Sequence, residues 1–217
     1  MKEVLEELME SECRRATLQG LARCFTYPDG AWVESLLSGG WLEAFQEALS
    51  YFGLTIDRLV KAVAALPPRN DLALQELQVE YTYLFINALP HVPAPPYASA
   101  YRGMGFLMGE PAERAWRAYQ AAGLDLAEDF HDLPDHLAVQ LEFLSWLEGQ
   151  EIEAKEQGEV EKAQKFRSTK EKFWAEEVKP WLPEFLTRVE EKARIPFYRE
   201  LAGLMKIFLD IFPENKN

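Results

Sequence analysis

Two histidines and two aspartates fall within six residues at His131-Asp132-Leu133-Pro134-Asp135-His136. Imidazoles and carboxylates are the ligands of divalent-metal hydrolases, so His131, Asp132, Asp135 and His136 form the one ligand set from which this sequence could build such an enzyme. A catalytic metal needs three or more convergent ligands, and the only other histidine is His91. The preferred reading is plainer: Asp132 or Asp135 caps a following helix, where a carboxylate complements the positive end of the helix dipole, and His136 bonds locally. Ser99 lacks the flanking glycines of a nucleophile elbow, and neither G-x-x-x-x-G-K-[ST] nor G-x-G-x-x-G is present. Cys13 and Cys24 are too few for a zinc site or a disulfide framework and read as small buried residues in a reducing compartment. Arg14-Arg15 follows Glu10 and Glu12 inside an amphipathic stretch, and reads as a solvated pair rather than an export signal. The chain itself is expected to carry no cofactor.

A second chemistry is recognition. Asp135 and Glu142 are seven residues apart, about 10 Å along one side of a helix, with Phe143 and Trp146 close by. With a Pro/Tyr-rich segment upstream, they would form a cleft with apolar walls and acidic ends, suited to a peptide carrying arginines beside a hydrophobic run. On residue pattern alone, core aromatics and solvated acids are the preferred alternative.

The elements that must position these groups are helical. Val4, Leu5, Leu8, Met9, Cys13, Ala16, Leu21 and Phe25 recur mostly at helical steps. Tyr27-Pro28-Asp29-Gly30 reads as a turn, and helices follow over Trp41–Phe52, Ile56–Val63 and, capped by Asp71, through Phe85. Pro90 to Pro96 holds four prolines in seven residues and must be extended. Tyr97, Tyr101, Phe106 and Met108 follow, too apolar for a flexible linker, so an ordered loop is expected. Pro111 opens a helix that stops at Gly123. Asp132 to about Glu148 reads as a helix apolar on two sides and therefore central; Glu151–Lys172 reads as a solvated, charge-paired helix. Pro180 and Pro183 break the chain near Trp181, and a last amphipathic helix runs from Phe197 to Phe212. The expected fold is all-α: one compact helical bundle over residues 1–217, with the proline-rich loop between its halves and 87–97 as the candidate hinge.

Composition bounds the rest. The 217 residues carry a net charge of −13 with 48% hydrophobic residues, enough for a packed core and unsuited to non-specific nucleic-acid binding. No apolar run is long enough to span a membrane, so no stable membrane insertion is expected, and the acidic start lacks the order of a secretion signal; a cytoplasmic protein is the simplest expectation. A monomer is expected, with a domain-swapped dimer through the proline loop as the alternative.

Several blocks follow in order: Glu80-Tyr81-Thr82-Tyr83-Leu84-Phe85, Pro95-Pro96-Tyr97-Ala98-Ser99-Ala100-Tyr101, Met108-Gly109-Glu110-Pro111-Ala112, Tyr119 to Leu124, and Pro134-Asp135-His136 through Leu144. The series resembles the TorD/DmsD family of redox-enzyme maturation chaperones, to which NarJ-type chaperones are related. Leu18 to Asp29 resembles the family's first helix and turn, and Trp181 with Phe197-Tyr198 matches more loosely. The resemblance implies a non-enzymatic, all-helical cytoplasmic chaperone for molybdopterin enzymes. Such a chaperone binds the twin-arginine signal peptide or the apoprotein of a reductase subunit, assists cofactor insertion and prevents premature export. By motif, Asp135 and His136 match the element associated with signal-peptide binding. Leu84, Phe85, Pro96 and Tyr97, with Ser99, Tyr101 and Glu142, are carried over as the lining of the client site. The family often has Glu where this chain has Ala98 and Gln140, which implies the loss of two arginine partners. A metal-dependent hydrolase and a generic helical adaptor stand as the alternatives.

Overall fold

The computed structural model describes residues 2–102, 109–125 and 132–212, apart from the side chains of 2–4. Phe106, Met108 and His131 lie outside the described residues. Within them the chain forms α1 (Lys2–Cys24), α2 (Gly30–Ser38), α3 (Gly40–Ser50), α4 (Asp57–Ala64) and α5 (Asn70–Tyr81), the last running on into a π-helical turn over Thr82–Ile86. Then come α6 (Ser99–Arg102), α7 (Glu110–Ala121), α8 (Leu137–Glu156) and α9 (Val160–Phe173), which continues as a second π-helical turn over Trp174–Val178. Last are α10 (Leu182–Lys192) and α11 (Pro196–Ile211). The fold is all-α. The one extended pairing among the described residues is an isolated bridge between Tyr97 and His136. None of the described helices is long and apolar enough to cross a membrane.

The helices gather into two compact units, residues 1–25 with 96–182 and residues 26–95 with 183–217. The chain passes from one to the other at Pro95–Pro96, inside the proline-rich segment. That segment is a loop from Asn87 to Ala98, and it is anchored: Ala94 is buried and donates its N–H to Leu84 O at 2.9 Å.

In the first unit α8 lies between α1 and α9. Leu137, Leu141, Leu144 and Leu147 are all buried, as is Phe143 on the second apolar side, so the expected central helix is present. Its limits differ from the sequence expectation. Pro134-Asp135-His136 stays out of the helix, His136 takes the cap position with extended backbone (ψ 137°), and α8 then runs on to Glu156. The chain turns at Gly158, whose φ of +72° favours glycine, and α9 begins two residues later. The charged stretch 151–172 is therefore two helix segments, and it is only partly solvated. Glu148, Glu151 and Lys170 are buried, with Lys170 Nζ 2.8 Å from Glu148 and 2.7 Å from Glu151. Arg14 joins them by donating to Glu148 at 3.2 Å. Alternating charge looks the same in sequence whether it faces water or a facing helix of opposite charge.

In the second unit the expected turn at Tyr27–Gly30 opens a helix that the sequence pattern did not separate. Asp29 Oδ1 accepts from Trp32 N at 2.9 Å, capping α2, whose Trp32, Val33 and Leu36 are buried. Gly39, at φ +88°, ends α2 and starts α3. Asp71 does not cap α5; it sits in the first turn and pairs with Arg69. Aromatic rings fill this core, with Phe85 4.8 Å from Tyr81, 5.4 Å from Tyr198 and 6.0 Å from Phe185.

Candidate functional site

Asp135 and His136 precede α8 and meet the Pro96–Tyr101 segment of the same unit. The two stretches are joined by backbone bonds from Ala98 N to Asp135 O (3.1 Å) and from Leu137 N to Pro96 O (2.8 Å). Asp135 is fully buried, and its Oδ2 accepts the N–H of Ser99 at 2.7 Å, so it caps α6 rather than α8. Its Oδ1 has no hydrogen-bond partner among the described residues. The α8 cap is His136 itself, whose Nδ1 accepts from Ala138 N at 3.1 Å. An imidazole that accepts at Nδ1 is neutral and carries its proton on Nε2. That nitrogen lies 3.7 Å from Asp132.

The electrostatics follow from this packing. Burial pushes His136 below its ordinary value, while Asp132 and Asp135 pull it back up. The Tyr97 ring stands edge-on to His136 at 5.1 Å. Its hydroxyl is raised above the ordinary phenol value by burial and by its hydrogen bond to Asp132. Tyr119, which opens one of the family blocks but is not among the expected site residues, braces the turn by donating to Pro134 O at 2.7 Å. Tyr101 stacks on Trp181 at 5.4 Å. The outcome is a rigid corner of Tyr97, Asp132, Asp135 and His136, with Asp132 as its exposed carboxylate. With His136 Nδ1 spent on a cap and Asp135 spent on Ser99, the pair is built for shape and hydrogen bonding. The described residues contain no group of three or more potential ligands that could hold a metal ion.

Other predicted site residues fall elsewhere. Glu142 is exposed on α8, whereas Asp135 is buried before the helix begins, so the two do not share a helix face. Glu142 and Trp146 line a groove of about 640 Å³ between α1 and α8, together with Glu12, Arg15, Glu153 and Glu156. Partial desolvation there raises the Glu142 carboxyl above its ordinary value although the residue opens to solvent. Phe143 is core. Leu84 and Phe85 are core residues of the second unit, and Ser99 and Pro96 are buried in the first. Ala98 and Gln140 are also fully buried, so the two positions where the family often has Glu are interior here rather than at a rim. A neutral residue at each avoids burying a charge.

The chain is similar to known proteins over most of its length. Residues 42–187 match the family model described as nitrate reductase delta subunit. Chaperone protein TorD of Vibrio cholerae serotype O1 (strain ATCC 39541) is 30% identical over 179 residues, covering 82% of this chain and 76% of that protein. TorD of Vibrio parahaemolyticus is 33% identical over 154 residues, covering 70% and 69%. A crystal structure from Archaeoglobus fulgidus, described as that of a candidate redox enzyme maturation protein, superposes with a TM-score of 0.55 at 27% identity, over 90% of this chain and 93% of that one.

Proposed function

The chain belongs to the nitrate reductase delta subunit family, which includes the TorD chaperones, and is a chaperone of redox-enzyme maturation rather than an enzyme; from that premise we propose that it binds the twin-arginine signal peptide or the apoprotein of a molybdopterin-dependent reductase subunit, in the cytoplasm, and holds it back from export until the cofactor is inserted. The hydrolase alternative falls with the family assignment. The observation that carries the reading is the fixed corner of Tyr97, Asp132, Asp135 and His136, supported by the acidic α1–α8 groove in the same unit.

The two places divide the work by chemistry. A guanidinium presents five donors in a planar fork and needs carboxylates whose own donors are few. Glu142 and Glu156, exposed along the groove, are such acceptors, while Asp132 at the corner already accepts from Leu133 N and the Tyr97 hydroxyl and adds its charge. Trp146, half-buried in the groove, offers an apolar wall to the residues that follow the arginines, each Å² of buried apolar area contributing about 25 cal/mol. Tyr97 is already placed by its edge-on contact with His136, which lowers the side-chain entropy lost on binding. Because the contacts are rim charges and one modest groove, the affinity is moderate and the client can be released. A client's own cofactor supplies the redox chemistry; none is asked of this chain.

The experiment is a calorimetric titration with a synthetic peptide carrying two arginines followed by an apolar run, taken from a reductase subunit of the same host. Affinity should weaken as salt rises, and again when both arginines are replaced by lysine, which lacks the bidentate fork. Equal affinity for the lysine peptide and for a scrambled one would remove signal-peptide recognition and leave a generic helical adaptor.

A further inference from the structure

We propose that the groove between α7 and α9 is a docking site for an acidic amphipathic helix, and that its occupant is the first turns of α1 from a second copy of this chain. The groove encloses about 520 Å³ on a side of the first unit that the client site does not use. Its floor is apolar: Ala118 and Ala121 from α7, Leu147 from α8, and Phe166 and Phe173 from α9. The alanines leave room for another helix backbone to come close; Phe166 is half-buried and offers a ring to it, while Phe173, seven residues on, packs beneath against Tyr119 and Phe143. Four cations and two acids stand around that floor: Arg114 is paired with Glu177, and Glu176 is exposed at one end. Arg117 is paired with Glu113 one turn before it, at 2.5 Å. Lys165 and Lys172 are exposed, stand seven residues apart on the same side of α9, and make no ion pair among the described residues. In a chain with 36 acidic and 23 basic residues, a groove with four cations to two acids beside an apolar floor suits an anionic partner with an apolar face.

The same chain carries such a surface. Leu5 and Met9, one turn apart on α1, are 59% and 58% exposed, among the large apolar side chains left most open to solvent. Glu6 and Glu7 flank them and are exposed, Glu7 standing 3.7 Å from Lys155. Seating Leu5 and Met9 against Phe166, Ala118 and Ala121 would bring those carboxylates beside Lys165 and Lys172. One contact thus covers two surfaces that lie open among the described residues. Each copy brings one groove and one α1, so a two-fold pair makes the contact twice. The proposal stands apart from the client-binding reading: it uses neither the Tyr97–His136 corner nor the α1–α8 groove.

Sedimentation velocity over a wide concentration range tests it, with two variants designed to keep the fold. Lys165→Glu/Lys172→Glu breaks the groove and leaves α1 intact; Leu5→Gln/Met9→Gln does the reverse with a residue that favours helix. The wild type should dimerise with rising concentration, and each variant should associate at least about tenfold more weakly with unchanged circular dichroism and client-peptide titration. Mixing the two variants should recover a heterodimer, since each supplies one intact half. A labelled peptide of residues 2–12 should bind the wild type and not the Lys165→Glu/Lys172→Glu variant. A chain that stays monomeric throughout overturns the proposal even where the peptide binds. So does a dimer that neither pair of substitutions weakens, which would point to another interface such as exchange through the proline loop.

Discussion

Ser99 N–H donates to Oδ2 of Asp135 across 2.7 Å, so a residue 36 positions downstream caps the short helix that starts the Ser99–Arg102 turn. This bond ties the proline-rich segment to the start of α8, and it makes Asp135 a folding residue as well as a candidate recognition residue. Asp135→Ala leaves the Ser99 N–H buried without an acceptor and should lower stability by about 1–3 kcal/mol. Asp135→Asn keeps an oxygen for that N–H and should cost much less. Urea unfolding of both variants checks this; equal midpoints would show that the Ser99 bond contributes little. Client-binding measurements belong on the Asn variant, where a loss of affinity is not confounded by a loss of fold.

His136 should make stability depend on pH in one direction. Its folded value is lowered below the ordinary 6.5 by burial, against the pull of Asp132 and Asp135. The unfolded chain therefore takes up a proton at a pH where the folded chain does not. Stability from this residue is complete above about pH 6.5 and declines as pH falls toward the lowered folded value. Protonation also removes the Nδ1 acceptor used by Ala138. His136→Asn keeps a cap acceptor and cannot titrate. The difference in urea midpoint between wild type and variant should narrow from pH 7 to pH 5, and a constant difference would count against the neutral cap.

Much of this was legible in the residues, and the misses have physical causes. Helical periodicity located α3, α4, α5, α7, α8 and α11 because each buries a stripe of one face; it located α1 too, although Leu5 and Met9 of that stripe are exposed and Ser11, Arg14 and Thr17 are buried instead. It missed α2, since nine residues between Gly30 and Gly39 offer barely two turns of pattern and the flanking glycines read as loop. The ordered proline loop could be expected from the aromatics after it, whereas the bonds from Ala94 to Leu84 and from Ala98 to Asp135 are long-range and leave no local mark. At the site, Pro134-Asp135-His136 was recognisable as chemistry, but which residue capped which helix was not. Asp135 has the better capping propensity, yet the tertiary fold aims it at Ser99 and leaves His136 to cap α8. Leu84 and Phe85 are apolar whether they line a cleft or fill a core, and only packing distinguishes the two.

Lys170 is the strongest test of the buried charge cluster. Burial alone would raise the Glu151 carboxyl, but Lys170 and Lys155 outweigh it and hold it at about 2. Glu151 thus adds stability that is present above its unfolded value of 4.5 and lost as pH falls toward 2. Lys170→Met leaves Glu148 and Glu151 buried beside one cation fewer and should cost about 3–5 kcal/mol. Replacing Lys170 and Glu151 together by apolar residues should cost less than the single change, because it removes a charge with its partner. Denaturant midpoints at neutral pH for the single and double variants decide it. A milder single variant would mean that Arg14, Lys155 and Arg167 suffice to compensate both acids.

Glu142 links the groove to binding through its proton. Partial desolvation raises its carboxyl, so near pH 5 a fraction of it is protonated before a client arrives. A bound guanidinium favours the carboxylate, so binding must expel that proton. Affinity for an arginine peptide should therefore rise as pH increases through the Glu142 titration and level off above it. Calorimetry near pH 5 in two buffers of different ionisation enthalpy should show proton release on binding. The Glu142→Gln variant should lose that release and bind more weakly at pH 7, with its fold intact because the side chain is exposed. If wild type and variant release protons equally, the arginines are received elsewhere, with Asp132 at the Tyr97–His136 corner as the next acid to replace.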